Sequence, residues 1–197
     1  AHKYITGHIM TIINQEGKLL KAIMPDVKEL ACVPCTIESE CRSSNVAPHL
    51  LHDKLMYVAA YSPKYAMHHD AYLTQLKNYV DQCPQDIYAA AIYEYVKKDT
   101  LMEDIKDILP EKLGYPMENL NVIFGVYGMV ADSIDLRWTQ WYLSQLKPNG
   151  TCSITGQRDY IPSAYPKCVT SIAGNEVLFA TNSRVGYIAS QKIIHAL

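Results

Sequence analysis

The chain has 197 residues, of which 49% are apolar and 19% are charged, and its formal net charge is −2. This balance is typical of a globular protein and excludes an intrinsically disordered one, which needs low hydrophobicity and a high net charge. The longest Lys/Arg run is the pair at 97–98 and the longest apolar stretch is 122–131, so we expect one globular domain over residues 1–197, no nucleic-acid partner and no transmembrane segment.

The N-terminal segment predicts a β-hairpin over residues 4–24. Residues 5–13 are rich in β-branched side chains, 14–17 form a turn that ends on Gly17, and 18–24 are the expected return strand. A short helix is the alternative for either arm. An irregular connection follows, which carries the first three cysteines.

Residues 47–147 predict a helical middle. Apolar residues recur at helical spacing, first at Leu51 and Leu55 and then along three further segments that end at about residues 83, 98 and 110. The last of these segments begins with Thr100 and Glu103, which have the spacing of a capping box. The helical pattern resumes at about residue 116 and continues to residue 146.

Two regions point to structure other than helix, one inside the helical middle and one after it. Gly125 and Gly128 lie within the apolar run of the last helix and cost helix stability, so a break or a strand is the alternative there. Residues 169–173 and 177–181 flank a Gly-Asn turn and predict a β-hairpin, to which 185–189 could add a third strand. The predicted fold class is therefore α+β and predominantly helical, with an N-terminal β-hairpin, a helical middle and a C-terminal antiparallel β segment.

Six cysteines favour a disulfide framework, because an even count suits complete pairing. Cys152 and Cys168 bracket a loop rich in Gly and Pro, and we expect them to pair; closing such a loop stabilises a fold by roughly 3 kcal/mol. Cys83 would then pair with one member of an N-terminal cluster. That cluster consists of Cys32, Cys35 and Cys41.

Two other interpretations of the N-terminal cysteines remain open. Cys32 and Cys35 have the Cys-x-x-Cys spacing of a redox pair, although the segment before them lacks the apolar strand that such pairs follow. Together with Cys41 and His49 they could instead hold zinc, although the spacing matches no standard zinc pattern. Structural disulfides are the favoured interpretation, so we expect no cofactor, with zinc as the alternative.

Two His/Asp clusters are candidates for acid–base or metal chemistry. His49, His52 and Asp53 stand at i, i+3 and i+4, which on a helix would place them on one side, as a metal site requires. That side lies opposite the apolar stripe that includes Leu51 and Leu55. A solvated polar face is therefore the simpler interpretation.

The second cluster is His68, His69 and Asp70. Neighbouring side chains on a helix point about 100° apart, so the three cannot easily hold one ion. His69 falls on an apolar stripe, where a hydrogen-bonded core histidine is the commoner outcome. The candidate catalytic residues are His52, Asp53, His69 and Asp70, and the candidate metal ligands are His49, His52, His68 and His69.

An aromatic group is the candidate binding surface. Trp138, Trp141 and Tyr142 stand at i, i+3 and i+4 beside Arg137, and Trp, Tyr and Arg dominate the binding hot spots of protein interfaces. We interpret these residues as a patch for a protein partner. Packing in the core is the alternative.

Without a complete catalytic set, the sequence favours an extracytoplasmic protein, either secreted, periplasmic or on the cell surface, that is stabilised by disulfides and has a non-catalytic interaction or structural role. It would bind a protein partner. The alternative hypothesis is a small secreted hydrolase that uses the His/Asp clusters, with or without a metal.

Overall fold

The computed structural model describes residues 2–40, 42–130, 134–165, 178–180 and 182–194. The strands are β1 His2–Thr6, β2 Ile9–Ile13, β3 Leu19–Ile23, β4 Leu30–Pro34, β5 Asp53–Lys54, β6 Asn121–Val126, β7 Gly150–Thr151 and β8 Arg158–Asp159. The α-helices are α1 Ile37–Glu40, α2 Leu55–Val58, α3 Ala66–Gln82, α4 Ile87–Val96, α5 Leu101–Ile105, α6 Ile134–Gln145 and α7 Tyr187–Ile194. Short 3-10 turns lie at Pro63–Tyr65, Lys106–Ile108 and Met117–Asn119.

A four-stranded mixed sheet, in the order β3-β2-β6-β5, organises the fold. Strand β2 is antiparallel to β3 and parallel to β6, and β5 is antiparallel to β6. The β1–β4 ladder is a separate antiparallel pair, and Ile5 and Val33 on its inner face pack against Ile123 of β6. Strand β6 is therefore covered on both faces.

The helices form the main core against this sheet. Helices α3 and α4 bury the apolar stripes that their 3.6-residue periodicity predicts. Buried tyrosines satisfy their hydroxyls on the backbone: Tyr72 donates to the carbonyl oxygen of Leu51 and Tyr88 to that of Phe124, at 2.8 and 2.7 Å. These bonds tie the helices to the loops and strands that position the site.

The predicted N-terminal hairpin is present as β2 and β3. Its turn is held by Asn14, whose side-chain oxygen accepts the backbone N–H of Lys18 at 2.7 Å, and by Gly17, which has a positive φ of 69°. The residues before it form β1, which pairs with β4 rather than with β3. The hairpin is thus one part of a larger sheet.

The predominantly helical class is wrong, since the protein is a mixed α+β fold with 38% helix and 18% strand. The first helix of the middle shrinks to the four residues of α2, and the helix predicted over 116–146 is a strand, β6, followed by α6. The apolar run of β6 is continuous because both of its faces are buried, and periodicity alone does not separate such a strand from a buried helix.

The predicted C-terminal β segment is also wrong where the structure describes it. Residues 187–189 of the expected third strand belong to α7, and 178–180 form no strand. Residues 169–173 lie outside the described part of the chain. The short ladder of β7 and β8 is the antiparallel pair found in this region.

Candidate functional site

A polar cleft of about 340 Å³ opens where five elements and one loop meet. Strand β1, the loop before β5, β5 itself, α2, α3 and the start of β6 each contribute to it. We call it the basic cleft, and its lining includes Lys3, Arg42, Ser43, Ser44, Asn45, His49, Lys54, Tyr57, His68 and Asn121.

Arg42, which lines the basic cleft, forms an ion pair with Asp53. Both terminal nitrogens of Arg42 donate to the Asp53 carboxylate, one of them at 2.8 Å, and one also donates to the carbonyl oxygen of Ala47 at 2.7 Å. The guanidinium lies 4.5 Å from the ring centre of Tyr57. Asp53 is fully buried and also accepts the backbone N–H of His49. The charge of Arg42 is therefore neutralised within the protein.

Two lysines that line the cleft have no such partner among the described residues. Lys54 donates to the side-chain oxygen of Asn119 at 2.9 Å, and Lys3 lies 3.5 Å from the carbonyl oxygen of Glu40. Neither lysine forms an ion pair with a carboxylate of the described residues. Burial lowers the pKa of Lys54, and so do the positive charges of Arg42 and Lys3, whereas the carboxylate of Asp53 opposes this shift. The cleft consequently carries an excess of positive charge and suits an anion.

The first His/Asp cluster does not lie on a helix. His49 is in a loop at the wall of the basic cleft, with its Nδ1 atom 3.1 Å from Oγ of Ser39, and burial lowers its pKa to about 3. His52 points into the core, where its Nδ1 atom accepts the N–H of Phe124 at 3.1 Å and burial lowers its pKa to about 4. Both rings are neutral at pH 7. His49 lies at the cleft and His52 lies in the core, so the two histidines do not share a site.

The second cluster is divided in the same way. His69 is buried between the carbonyl oxygen of Tyr57, 2.8 Å from Nδ1, and the carboxylate of Asp99, 2.7 Å from Nε2. His68 lies at the edge of the basic cleft against the rings of Tyr57 and Tyr65, whereas Asp70 is exposed. Within the described residues, no group of three His, Cys, Asp or Glu side chains is placed to hold a metal ion. The two clusters therefore do not form one site.

The expected disulfides are contradicted. Cys83 and Cys152 are free thiols, and no disulfide joins any two of the described cysteines. The Sγ atom of Cys152 instead accepts the backbone N–H of Gly186 at 3.2 Å. The expected partner Cys168, and Cys41 of the N-terminal cluster, lie outside the described residues. Cys32 is exposed on β4 and Cys35 is buried just after it.

The aromatic group on α6 lies mostly in the core. Trp138 and Tyr142 are buried; the indole of Trp138 donates to the carbonyl oxygen of Cys35, and the hydroxyl of Tyr142 accepts the N–H of Ile37. Trp141 stacks on Trp138 and keeps part of its surface. These contacts anchor α6 to the segment after β4, which leaves Trp141 as the part of the predicted binding patch that a partner could reach.

Sequence reasoning missed the lysines of the basic cleft. Lys3 and Lys54 are isolated in the sequence, and they line one cleft because β5 pairs with the start of β6 while the β1–β4 ladder packs against β6. No local pattern signals such a pair. Runs of Lys and Arg along the chain do not reveal positive charges that the fold brings together from separate segments.

Residues 2–187 match the model of a protein family described as CRISPR-associated protein (Cas_Csd1). Among curated proteins, none matches the chain. Proteins of this family work in CRISPR complexes with other Cas proteins and crRNA, as parts of a cytoplasmic system for defence against nucleic acids.

This match corrects the function inferred from the sequence. The assignments to a secreted, periplasmic or cell-surface protein, with a secreted hydrolase as the alternative, are wrong, because they depended on disulfides that the described cysteines do not form and conflict with a cytoplasmic CRISPR system. The expected protein partner agrees with the family, whereas the expectation of no nucleic-acid partner conflicts with the crRNA of these complexes. None of the helices in the described residues is long and apolar enough to cross a membrane.

Proposed function

The chain belongs to the Cas_Csd1 family of CRISPR-associated proteins, and on this premise we propose that it is a nucleic-acid-contacting subunit of a CRISPR complex that binds phosphate groups in its basic cleft. The observation that carries the proposal is the pair of lysines, Lys3 and Lys54, which line one cleft and form no ion pair with a carboxylate of the described residues.

The chemistry of the cleft suits a phosphodiester. Phosphates are bound by Lys and Arg for charge, and by Ser and Asn side chains and backbone N–H groups for position. Ser43, Ser44 and Asn45 are exposed residues of the lining, and Asn121 also lines the cleft. Such contacts position a nucleic acid without reading its sequence.

Arg42 has a different role from the two lysines. Its hydrogen bonds to Asp53 and Ala47 and its contact with the Tyr57 ring hold the loop that carries the serines. Because Asp53 neutralises its charge, Arg42 contributes little net attraction to an anion. We assign it to the architecture of the cleft and assign the binding to Lys3 and Lys54.

The experiment is a titration of the isolated chain, and of the assembled complex, with crRNA and with duplex DNA. Replacing both lysines by alanine removes two charge-assisted contacts, so we expect the affinity to fall roughly tenfold. The double variant Lys3→Arg/Lys54→Arg should retain most of the binding, because it keeps both charges.

The matched control is Lys77→Ala/Lys106→Ala, which removes two exposed lysines that lie outside the cleft and pair with acidic neighbours on their own helical segments. It should bind as the unchanged protein does. Equal losses in the cleft variant and in this control would show that binding follows net charge alone, and would refute the assignment of the cleft.

A further inference from the structure

We propose that a groove beside α7 docks a segment of another protein of the complex, and that this segment presents apolar side chains flanked by carboxylates. The groove, of about 370 Å³, lies between the loop around 154–158 and helix α7, and is distinct from the basic cleft. We call it the α7 groove. The residues that carry the argument are Ile154, Arg158, Asp159, Ile188, Lys192 and Ile193.

The two walls of the α7 groove are tied together by hydrogen bonds that backbone N–H groups donate. The N–H of Gly186 donates to the Sγ atom of Cys152, the N–H of Tyr187 donates to the carbonyl oxygen of Tyr160 at 2.8 Å, and the N–H of Ser153 donates to a carbonyl at residue 184 at the same distance. The groove is thus formed before any partner binds, which reduces the entropy lost on docking.

The apolar surface of the groove favours a protein as the occupant. Ile154 and Ile188, on opposite walls, are 54% and 45% exposed, and Ile193, which also lines the groove, is half-buried. Burial of such side chains is favourable by about 25 cal/mol per Å². A nucleic-acid backbone offers sugars and phosphates, which do not fill an aliphatic groove, whereas leucine-like side chains of a protein segment do.

The charges at the groove define the flanks of that segment. Arg158 and Lys192 are exposed, and neither forms an ion pair within the described residues. Asp159, which also lines the groove, accepts the backbone N–H of Tyr160 at 2.7 Å. Its carboxylate lies so close to Gly186 that a Cβ atom on that glycine would clash with it. The two cations therefore remain for carboxylates of the partner.

Two variants of the full chain test the proposal in assembly with the other Cas proteins of the same CRISPR system. Ile188→Asp places a charge in the apolar part of the groove, and Arg158→Glu/Lys192→Glu reverses its flanking charges. Each should weaken association with the other Cas proteins at least tenfold, measured by titration at moderate salt. The affinity of the isolated chain for crRNA should stay unchanged, which separates this result from a failure of the basic cleft.

Matched controls lie outside the groove. Ile87→Asp changes an isoleucine that is 50% exposed at the start of α4, and Lys77→Glu/Lys106→Glu reverses two charges on other helical segments. Both should assemble normally. If Ile188→Asp fails to fold, the charge-reversal variant, which changes two exposed side chains, decides the question.

Two results would overturn the proposal. One is that the charge-reversal variant folds and assembles normally, and that Ile188→Asp, if it folds, also assembles normally. The other is a loss of crRNA affinity in the groove variants with intact protein assembly, which would make a nucleic acid the occupant.

Discussion

Arg42 and Asp53 form a buried ion pair in which both terminal nitrogens of the guanidinium donate to one carboxylate. Asp53 also accepts the backbone N–H groups of His49 and Lys54, so a single carboxylate joins three segments of the basic cleft. The position of Lys54, and with it the charge offered to a ligand, depends on this pair.

Removing one member of the pair should therefore destabilise the protein strongly. Arg42→Ala leaves the Asp53 carboxylate buried without its counter-ion, and the loss of one partner of a buried pair typically costs about 3–5 kcal/mol. The free energy of unfolding from urea denaturation measures this loss. Lys54→Ala, which breaks no ion pair within the described residues, should change that free energy by less than about 1 kcal/mol. A similar small change for Arg42→Ala would contradict a structural role for the pair.

The neutral histidine His52 should make the protein less stable in acid. Its pKa is lowered to about 4 in the folded protein, mainly by burial, against 6.5 in the unfolded chain. Below about pH 6.5 His52 binds a proton in the unfolded chain but stays neutral in the folded protein. The free energy of unfolding therefore falls as the pH is lowered toward 4. The slope contributed by one such group reaches about 1.4 kcal/mol per pH unit. His52→Asn keeps an acceptor for the Phe124 N–H and should reduce the slope; an unchanged slope would contradict the assignment.

Glu40 should act in the opposite direction. Burial raises its pKa to about 7, and the Oε2 atom has no hydrogen-bond partner. The unfolded chain ionises this group near pH 4.5, whereas the folded protein keeps the proton until about pH 7, so stability is lost as the pH rises between these values. Glu40→Gln removes the loss. The variant should gain stability relative to the unchanged protein between pH 4.5 and 7 in thermal unfolding, and a constant difference across that range would refute this account.

Gly17 should not tolerate a side chain. Its φ is 69°, and a Cβ atom there would lie 2.7 Å from the backbone of Glu94 and Tyr95 in α4. Left-handed backbone costs roughly 1–2 kcal/mol for a residue with a side chain, and the clash adds to it. Gly17→Ala should therefore lower the free energy of unfolding by more than about 1 kcal/mol. Gly156→Ala is the matched control, since that glycine has a φ of 70° with open space around it and isolates the backbone cost.

Local patterns predicted the parts of the fold that local physics determines. The apolar spacing of the segment that ends at about residue 83 predicted a helix, and α3 buries Tyr72 and Leu76 there; the turn over 14–17 predicted the β2–β3 hairpin. Helical spacing failed for His49, His52 and Asp53 because Asp53 pairs with Val122 of β6 instead. That pairing joins residues far apart in the chain, and no local periodicity encodes it.

Local patterns in the sequence did not predict the basic cleft for the same reason. The net positive charge of the cleft depends on which of its basic residues form ion pairs with carboxylates. Arg42 is neutralised by Asp53, whereas Lys3 and Lys54 contact uncharged oxygens. A count of charges gives −2 for the whole chain and does not reveal a local excess of positive charge.

The salt dependence of crRNA binding tests the central claim most directly. Each phosphate contact to a single strand contributes about 0.7 to the slope of log affinity against log salt concentration. The account predicts that Lys3→Ala/Lys54→Ala lowers the magnitude of the slope by about 1.4 relative to the unchanged protein, and that Lys77→Ala/Lys106→Ala leaves it as it is. An unchanged slope in the cleft variant would contradict phosphate binding by these two lysines.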